Sequence, residues 1–319
     1  MRHGVVCHGD CDGVISAFIY IKHYMRDFYP GRIDIVFTQP WRAHIDARRI
    51  SSDIDALVLL DLALSNELVN FIKLISKSIN RITVIDHHVS SKAFLSELNL
   101  SNVKIIWSKA SSTPHLIKDV FKPLMNPYEE FLVEVADVCE GNETRNPDVA
   151  KVADLIKLSI ARDPSDLDYM KYLVDIMLKN KDISSDNEVV KRAKVAKFLL
   201  KRLLRLLSER SLEVSGIKIA ALDLSESRIY AGLLGIATTE FSKMCKKDVI
   251  LIRREEGKIV VTARSISDRA FKICQLLSRK LKGKFGGHAE AASTTLPDMS
   301  LDNAIKLIME VAKVVTKHD

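Results

Sequence analysis

Arg81-Ile-Thr-Val-Ile-Asp86-His87-His88 is an apolar, β-branched run that stops on one acid and two imidazoles. A run of that composition predicts a buried strand, and three further acidic sites stand where similar runs end. They are His8-Gly-Asp10-Cys-Asp12-Gly13, Asp61 after Ala56-Leu-Val-Leu-Leu, and Asp137 inside Phe131-Leu-Val-Glu-Val-Ala-Asp. Carboxylates and imidazoles recurring at strand ends are what a two-metal hydrolytic centre requires, and a solvated surface has no need of them.

Working outward, strands are predicted at roughly 4–8, 33–38, 56–61, 81–85 and 103–107, alternating with helices at roughly 13–28, 65–79, 112–121 and 127–140. The last of these opens on Asn126-Pro127, a capped N-terminus. Such alternation predicts an α/β class with a doubly wound, mostly parallel sheet. Ligand sites in these sheets lie beyond the carboxyl ends of the strands, where Asp10, Asp61 and Asp86 fall.

Residues 146–180 read as helical, with breaks at Pro147 and Pro164. A basic helix follows from Asn187 to about Ser211, with one apolar stripe through Val189, Ala193, Ala196, Leu200, Leu203 and Leu207. Eight of the 48 basic residues and one of the 41 acidic residues lie between Val189 and Arg210, so the formal +7 resides there and the remaining 40 of each sign balance. A basic stripe fits a polyanionic partner; the solvated face of an amphipathic helix is the other reading. From Gly216 a second α/β unit is predicted: a strand at Ile217–Leu222, a helix at Ile229–Met244, a hairpin of Val249–Ile252 with Lys258–Arg264, a helix over 268–282 and a glycine loop, Gly283-Lys-Phe-Gly286-Gly287-His288. The expected divisions are a catalytic metal-binding domain at 1–180, a basic connecting helix at 181–212 and a substrate-binding domain at 213–319.

A length of 319 residues allows two domains, and 47% hydrophobic with 28% charged residues is an ordinary globular composition. No apolar run approaches the roughly 18 residues of a membrane span, and acidic chemistry appears too early for a signal peptide; a cytoplasmic protein without membrane partners is expected. Cys7, Cys11, Cys139, Cys245 and Cys274 form no CxxC pair, so no disulfide framework is expected. Cys7, His8 and Cys11 lack a fourth ligand at zinc-finger spacing. Asp10-Cys-Asp12-Gly13 is no calcium loop either, because position 12 of such a loop would be Ile21.

If the acidic sites converge, pairs of carboxylates about 4 Å apart repel by roughly 4 kcal/mol at an effective dielectric near 20. Cations must then offset the charge. Oxygen ligands mixed with imidazole suit Mn2+, or Mg2+, and two such ions activate water for in-line displacement at phosphorus. In the second unit, paired glycines admit a backbone close to a ligand, and Arg264 at a strand end offers a bidentate phosphate contact.

The ordered set Asp10/Asp12, Asp61, Asp86-His87-His88 and Asp137, followed by Gly286-Gly287-His288, resembles the DHH phosphoesterase superfamily with its DHHA1 domain, over nearly the whole chain. That superfamily includes the RecJ exonucleases, nanoRNase-type oligoribonucleases, cyclic-dinucleotide phosphodiesterases and family II pyrophosphatases. The resemblance implies that Asp61 bridges two metals, with Asp10 on one and Asp12, His87 and Asp137 on the other. It also implies that Asp86 supports the site, His88 touches the scissile phosphate, and Arg264, Gly286, Gly287 and His288 bind substrate. Bacterial nanoRNases place a metal-binding histidine four residues before the first aspartate, where this chain has Val6. His8, two residues before it, is similar to the histidine of RecJ-like and archaeal relatives and is expected as a ligand or phosphate contact. Ser111-Ser112-Thr113 resembles a small polar segment between the third and fourth motifs and reads equally as a helix cap.

The implied activity is a metal-dependent exonuclease or nanoRNase releasing nucleoside monophosphates from short single-stranded RNA or DNA. Cyclic dinucleotides or 3′-phosphoadenosine 5′-phosphate are the alternative substrates. A non-catalytic replication scaffold of the Cdc45 type is the alternative of another class, and it would lack the metal carboxylates. A homodimer and replication or repair proteins are the expected partners beyond substrate.

Overall fold

The computed structural model describes residues 2–316. The first ~140 residues alternate as the sequence predicts: β1 His3–His8, α1 Cys11–Tyr24, β2 Ile33–Thr38, α2 Ala43–Asp46, β3 Ala56–Leu60, α3 Asn66–Ile75, β4 Arg81–Asp86, β5 Val103–Trp107, α4 Thr113–Phe121 and α5 Pro127–Cys139. Helices α6 Pro147–Ala161, α7 Leu167–Leu178 and α8 Asn187–Arg210 follow. The five strands form one parallel sheet in the order β2-β1-β3-β4-β5. The chain steps from β1 outward to β2 and then back across β1 to β3. Strand order therefore reverses beside β1, and the crevice beyond the carboxyl ends of β1 and β3 is the switch point.

The strands are apolar on both faces because both faces are covered. Val58, Leu60 and Ile85 join a core built with α1, α4, α5, α6 and α7. Leu57, Leu59, Ile82 and Val84 pack with Leu68, Val69 and Ile72 of α3 on the other side. Each fully buried Leu or Ile stabilises the sheet by about 1.5–3 kcal/mol, so a polar residue at Leu59 or Ile85 would disrupt it. The cap at α5 forms as its sequence suggests: Asn126 accepts from the Glu129 amide, and the Glu129 carboxylate accepts from the Asn126 amide.

Two compact units divide between Lys194 and Val195, within α8. The expected apolar stripe of α8 is buried throughout, from Val189 to Leu207. The second unit contains β6 Leu212–Val214, β7 Ile217–Leu222, α9 Leu224–Ile229, α10 Leu234–Cys245, β8 Asp248–Glu255, β9 Lys258–Arg264, α11 Ala270–Leu281, β10 Lys284–Gly287, β11 Ala291–Pro297 and α12 Leu301–Val315. Its sheet runs β10-β11-β9-β8-β7-β6, with only β7 and β8 parallel among neighbours. Ile250, Ile252 and Val261 pack against Ile273 and Leu277 of α11 and Ile308 of α12.

Four sequence expectations need correction. The helix expected at Ile229–Met244 starts later, at Leu234, because a 3-10 turn at Ala231–Leu233 precedes it; a separate short helix, α9, opened by an Asp223–Glu226 capping box, ends at Ile229. The glycine loop is an edge strand, β10. Strand β11 and helix α12 fall outside the predicted elements, although Ala292, Thr294 and Leu296 of β11 show the two-residue alternation of burial that marks a half-buried strand. Cys11 and Cys139 form a disulfide, with Cα atoms 6.2 Å apart, whereas their scattered spacing suggests free thiols. Pairing across 128 residues is invisible in local sequence. Among the described residues, no helix is long and apolar enough to cross a membrane.

Candidate metal centre

The turn from β1 into α1 places the first carboxylates. Gly13 is required there, since a Cβ would lie 2.1 Å from the His8 carbonyl oxygen. Asp10 caps α1 by accepting from the Gly13 amide at 3.0 Å, and His8 Nδ1 lies 2.9 Å from Asp10 Oδ2. Asp12, in the first turn of α1, is fully buried and accepts from Ser16 Oγ at 3.1 Å and the Thr113 amide at 3.0 Å.

Asp61 follows β3 in the left-handed region, φ 57°, a conformation costly for a residue other than glycine. Its carboxylate is 1% exposed and faces three imidazoles: His8 Nδ1 at 3.5 Å, His87 Nε2 at 3.5 Å and His88 Nδ1 at 3.8 Å. Thr113 Oγ1 donates to Asp61 Oδ1 at 3.1 Å. After β4, buried Asp86 accepts from His88 Nδ1 at 2.6 Å and from the Ser91 hydroxyl. His87 Nδ1 donates to the Ala110 carbonyl at 3.2 Å. That bond leaves Nε2 to point inward, 3.5 Å from Asp12 Oδ2 and 4.0 Å from Glu140 Oε2.

Three overlapping sets of ligating groups result: His8–Asp10–Asp61, Asp61–His87–His88 and Asp12–His87–Glu140. Crowding shows in their proton affinities. Burial, with Asp61 and Glu140 nearby, pushes the Asp12 carboxyl well above the usual carboxylate range. Burial, then Asp10 and Asp61, pushes Glu140 up to about 7. Asp61 goes the other way: burial opposes its charge, but the imidazoles of His8 and His87 outweigh burial and hold its carboxyl below the usual range. Burial likewise opposes protonation of His87, and Asp61 overcomes it to raise that imidazole to about 9. Two buried atoms at the centre, Asp61 Oδ2 and His87 Nε2, have no hydrogen-bond partner. Divalent cations fit this donor set, carboxylate oxygen with imidazole nitrogen, and would satisfy both atoms.

Asp137 is placed differently from expectation. It lies on α5 and accepts from Ser112 Oγ at 2.6 Å and from His115 Nδ1 at 2.8 Å, outside all three ligand sets. Glu140, just past the last turn of α5 and three residues on, falls in one of those sets, with Asp12 and His87. Sequence reading passes over Glu140 because it sits beyond the apolar run; the Asp137-x-x-Glu140 spacing, one helical face, is the available signal. Ser112 caps α4, accepting from the His115 amide at 3.3 Å. Thr113 reaches the carboxylates, so the segment serves both readings.

In the second unit, Arg264 ends β9. Its Nε donates to Thr239 Oγ1 at 2.9 Å and its Nη1 to the Ala263 carbonyl at 3.0 Å. Register puts Ala291 opposite Arg264 and Ala292 opposite Gly287, so Arg264 and Gly286-Gly287-His288 share one end of that sheet. Gly287 has φ +131°, and a Cβ there would lie 2.4 Å from the Ala291 carbonyl oxygen. Buried Asp248 holds the loop after Arg264, accepting from Ser265 Oγ and the Ile266 amide at 2.8 Å each.

Residues 216–314 match the DHHA1 domain family. No curated protein matches the sequence. Among solved structures, the chain is similar to the pGpG-specific phosphodiesterase PggH from Vibrio cholerae, at 17% identity and TM-score 0.62, covering 98% of this chain and 99% of that one. It is similar to RecJ in complex with Mn2+ from Thermus thermophilus, at 17% identity and TM-score 0.67, covering 99% of this chain but 52% of RecJ. It is also similar to CDC45 from Entamoeba histolytica, at 10% identity and TM-score 0.60, covering 98% and 95%.

Proposed function

We propose that this chain, which carries a DHHA1 domain and the two-unit fold of the DHH/DHHA1 superfamily, is a two-metal phosphodiesterase. Its substrates are short single-stranded oligonucleotides, and its products are nucleoside monophosphates. The observation that carries this reading is the pair of buried, unpartnered atoms Asp61 Oδ2 and His87 Nε2 amid ionisable groups that repel one another without cations.

His8, Asp10 and Asp61 would hold one ion, and Asp12, His87 and Glu140 the other, with Asp61 shared. Mn2+ suits the imidazole content, and Mg2+ is the weaker fit. Bound ions at such a centre supply an activated hydroxide and screen the phosphoryl oxygens. The chain's own residues do the rest. The Ala110 carbonyl holds His87 by its Nδ1–H, so that Nε2 is the nitrogen a cation would take in place of a proton. Asp86 holds His88 by Nδ1, which leaves the far nitrogen to donate to the scissile phosphate. Asp137, through Ser112 and His115, anchors the start of α4, from which Thr113 orients Asp12 and Asp61. Asp137 is thus a positioning residue. Arg264 keeps Nη2 for a substrate phosphate, and the Gly286-Gly287-His288 turn offers backbone and imidazole donors to the nucleotide.

A second reading, hydrolysis of a dinucleotide or cyclic dinucleotide, is favoured by the near-complete mutual coverage with the pGpG phosphodiesterase. The scaffold reading suggested by the CDC45 likeness conflicts with the intact carboxylate set. End-labelled RNA and DNA oligomers of two to five nucleotides, a ~20-mer, cyclic dinucleotides and 3′-phosphoadenosine 5′-phosphate, assayed in Mn2+, test all three. Fastest monophosphate release from the short oligomers is expected. Preference for a cyclic dinucleotide would transfer the assignment to the second reading, and no hydrolysis of any substrate would sink both.

A further inference from the structure

The first sheet has a second concave feature, at the opposite strand ends from the carboxylates. A cavity of about 630 Å³ opens at the amino ends of the strands, within the range typical of small-molecule sites. Its floor follows from the register: His3 pairs with Ala56, Ala56 with Arg81, and Thr83 with Lys104, so these side chains share one face. The carboxyl ends of α1 and α4 supply the wall, where Tyr20, Tyr24 and Phe121 form an aromatic cluster with ring centroids 5.1 Å apart for Tyr20–Tyr24 and 5.2 Å for Tyr24–Phe121.

Three observations point to a ligand. His3 is 9% exposed, lines the cavity, and leaves both ring nitrogens without a hydrogen-bond partner. A buried polar group in that state costs free energy unless something else satisfies it. Next, Arg81 and Lys104 bring two positive charges to the rim with no carboxylate within salt-bridge distance among the described residues. Arg81 lies close enough to act electrostatically on both His3 and Tyr20, and Lys104 Nζ sits 5.8 Å from the Phe121 ring centre. The nearby acid, Asp55, accepts from the Arg2 amide at 2.9 Å. Finally, rings and cations occur together: Tyr24 and Phe121 offer apolar ring faces tilted 47° to each other, and Arg81 and Lys104 an anion site.

We propose that this cavity binds a nucleoside 5′-monophosphate, with the base against Tyr24 and Phe121 and the phosphate at Arg81 and Lys104. The site is separate from the metal centre. His3 and His8 are the two ends of β1, and at about 3.3 Å per residue they stand roughly 17 Å apart. Occupancy here would tie β4 and β5 to α1, the helix whose other end carries Asp10 and Asp12.

Calorimetric titration of the full chain, in Mn2+ and again in EDTA, with AMP, CMP, adenosine and inorganic phosphate tests this. AMP is expected to bind in both conditions, with affinity falling at least tenfold in Arg81→Glu and in Lys104→Glu and severalfold in Tyr24→Ala, but unchanged in Arg264→Ala. Arg81 and Lys104 are exposed, so these variants keep the fold; an unshifted melting temperature checks that. AMP binding that survives both charge reversals, inorganic phosphate binding as tightly as AMP, or no AMP binding at all would each overturn the proposal. Oligonucleotide hydrolysis retained by Arg81→Glu would confirm that the two sites are distinct, and its loss in Asp61→Asn with AMP binding intact would separate this proposal from the catalytic one.

Discussion

At the carboxyl ends of β1, β3 and β4, the side chains of Asp12, Asp61 and Asp86 are at most 1% exposed, and each accepts at least one hydrogen bond. At the end of the second sheet, Gly286, Gly287 and His288 are exposed, and only Arg264 is substantially covered. One region gathers negative charge in a dry crevice, which is unfavourable until cations arrive. The other presents positive charge and bare backbone, cheap to maintain in water and suited to anions. A fold that buries repelling carboxylates must over-determine their positions, and this one does so with Thr113, Ser16, a left-handed Asp61 and a disulfide. The second region relies on a strand register, two glycines and the Thr239 and Asp248 contacts at and beside Arg264.

The sharpest way to break this contrast is Asp61→Asn. Asparagine tolerates the left-handed backbone, so the fold should persist while the shared charge disappears. Hydrolysis in Mn2+ should fall by about 10³-fold or more, some 4 kcal/mol of barrier, and calorimetry should show Mn2+ affinity lost with it. Turnover near wild type would end the metal assignment. EDTA should reproduce that loss reversibly in the unaltered chain.

Next in size is the covalent tie. Cys11 lies between Asp10 and Asp12, and Cys139 precedes Glu140, so their bond fastens two ligand-bearing elements. Cys11→Ser should lower unfolding stability by about 3 kcal/mol in denaturant titration, the typical contribution of a disulfide. A reductant that leaves the transition midpoint of the unaltered chain in place would show that the bond contributes nothing.

A smaller effect decides between two acids. Glu140→Gln should weaken Mn2+ binding by about tenfold to a hundredfold, about 1.4–2.7 kcal/mol, and Asp137→Asn by less. The reverse ranking in calorimetry would return Asp137 to the ligand set. Smallest is Arg264→Lys, which keeps the charge but loses the fork. An increase in KM of about fivefold to tenfold with kcat preserved is expected, and unchanged steady-state kinetics would remove Arg264 from substrate binding.

Much of the first unit is legible in the sequence. β1 to β5 fall within a residue or two of the predicted runs because a parallel sheet covered on both faces leaves continuous apolar segments in sequence. The strand-end acids are legible because a dry crevice has no other use for them. Glu140 is not, since its relation to His87 exists only after α5 folds back over the sheet. The Cys11–Cys139 bond and the cavity beside His3 have the same origin: each joins residues more than 50 positions apart. In the second unit, β11 and α12 lie beyond the predicted elements, although Thr294, Thr295 and the Ser300 cap carry local signals for both.

Sequence alone determined the α/β class, the order of the acidic motifs and the presence of the Gly286-Gly287-His288 motif, because these depend on local patterning and on chemistry carried by single residue types. Tertiary structure alone decided which acids meet, which histidine nitrogen faces them, and that Asp137 braces α4 while Glu140 approaches His87. Those outcomes depend on register and helix packing, where a shift of one residue or part of a helical turn sends a side chain to a different neighbour.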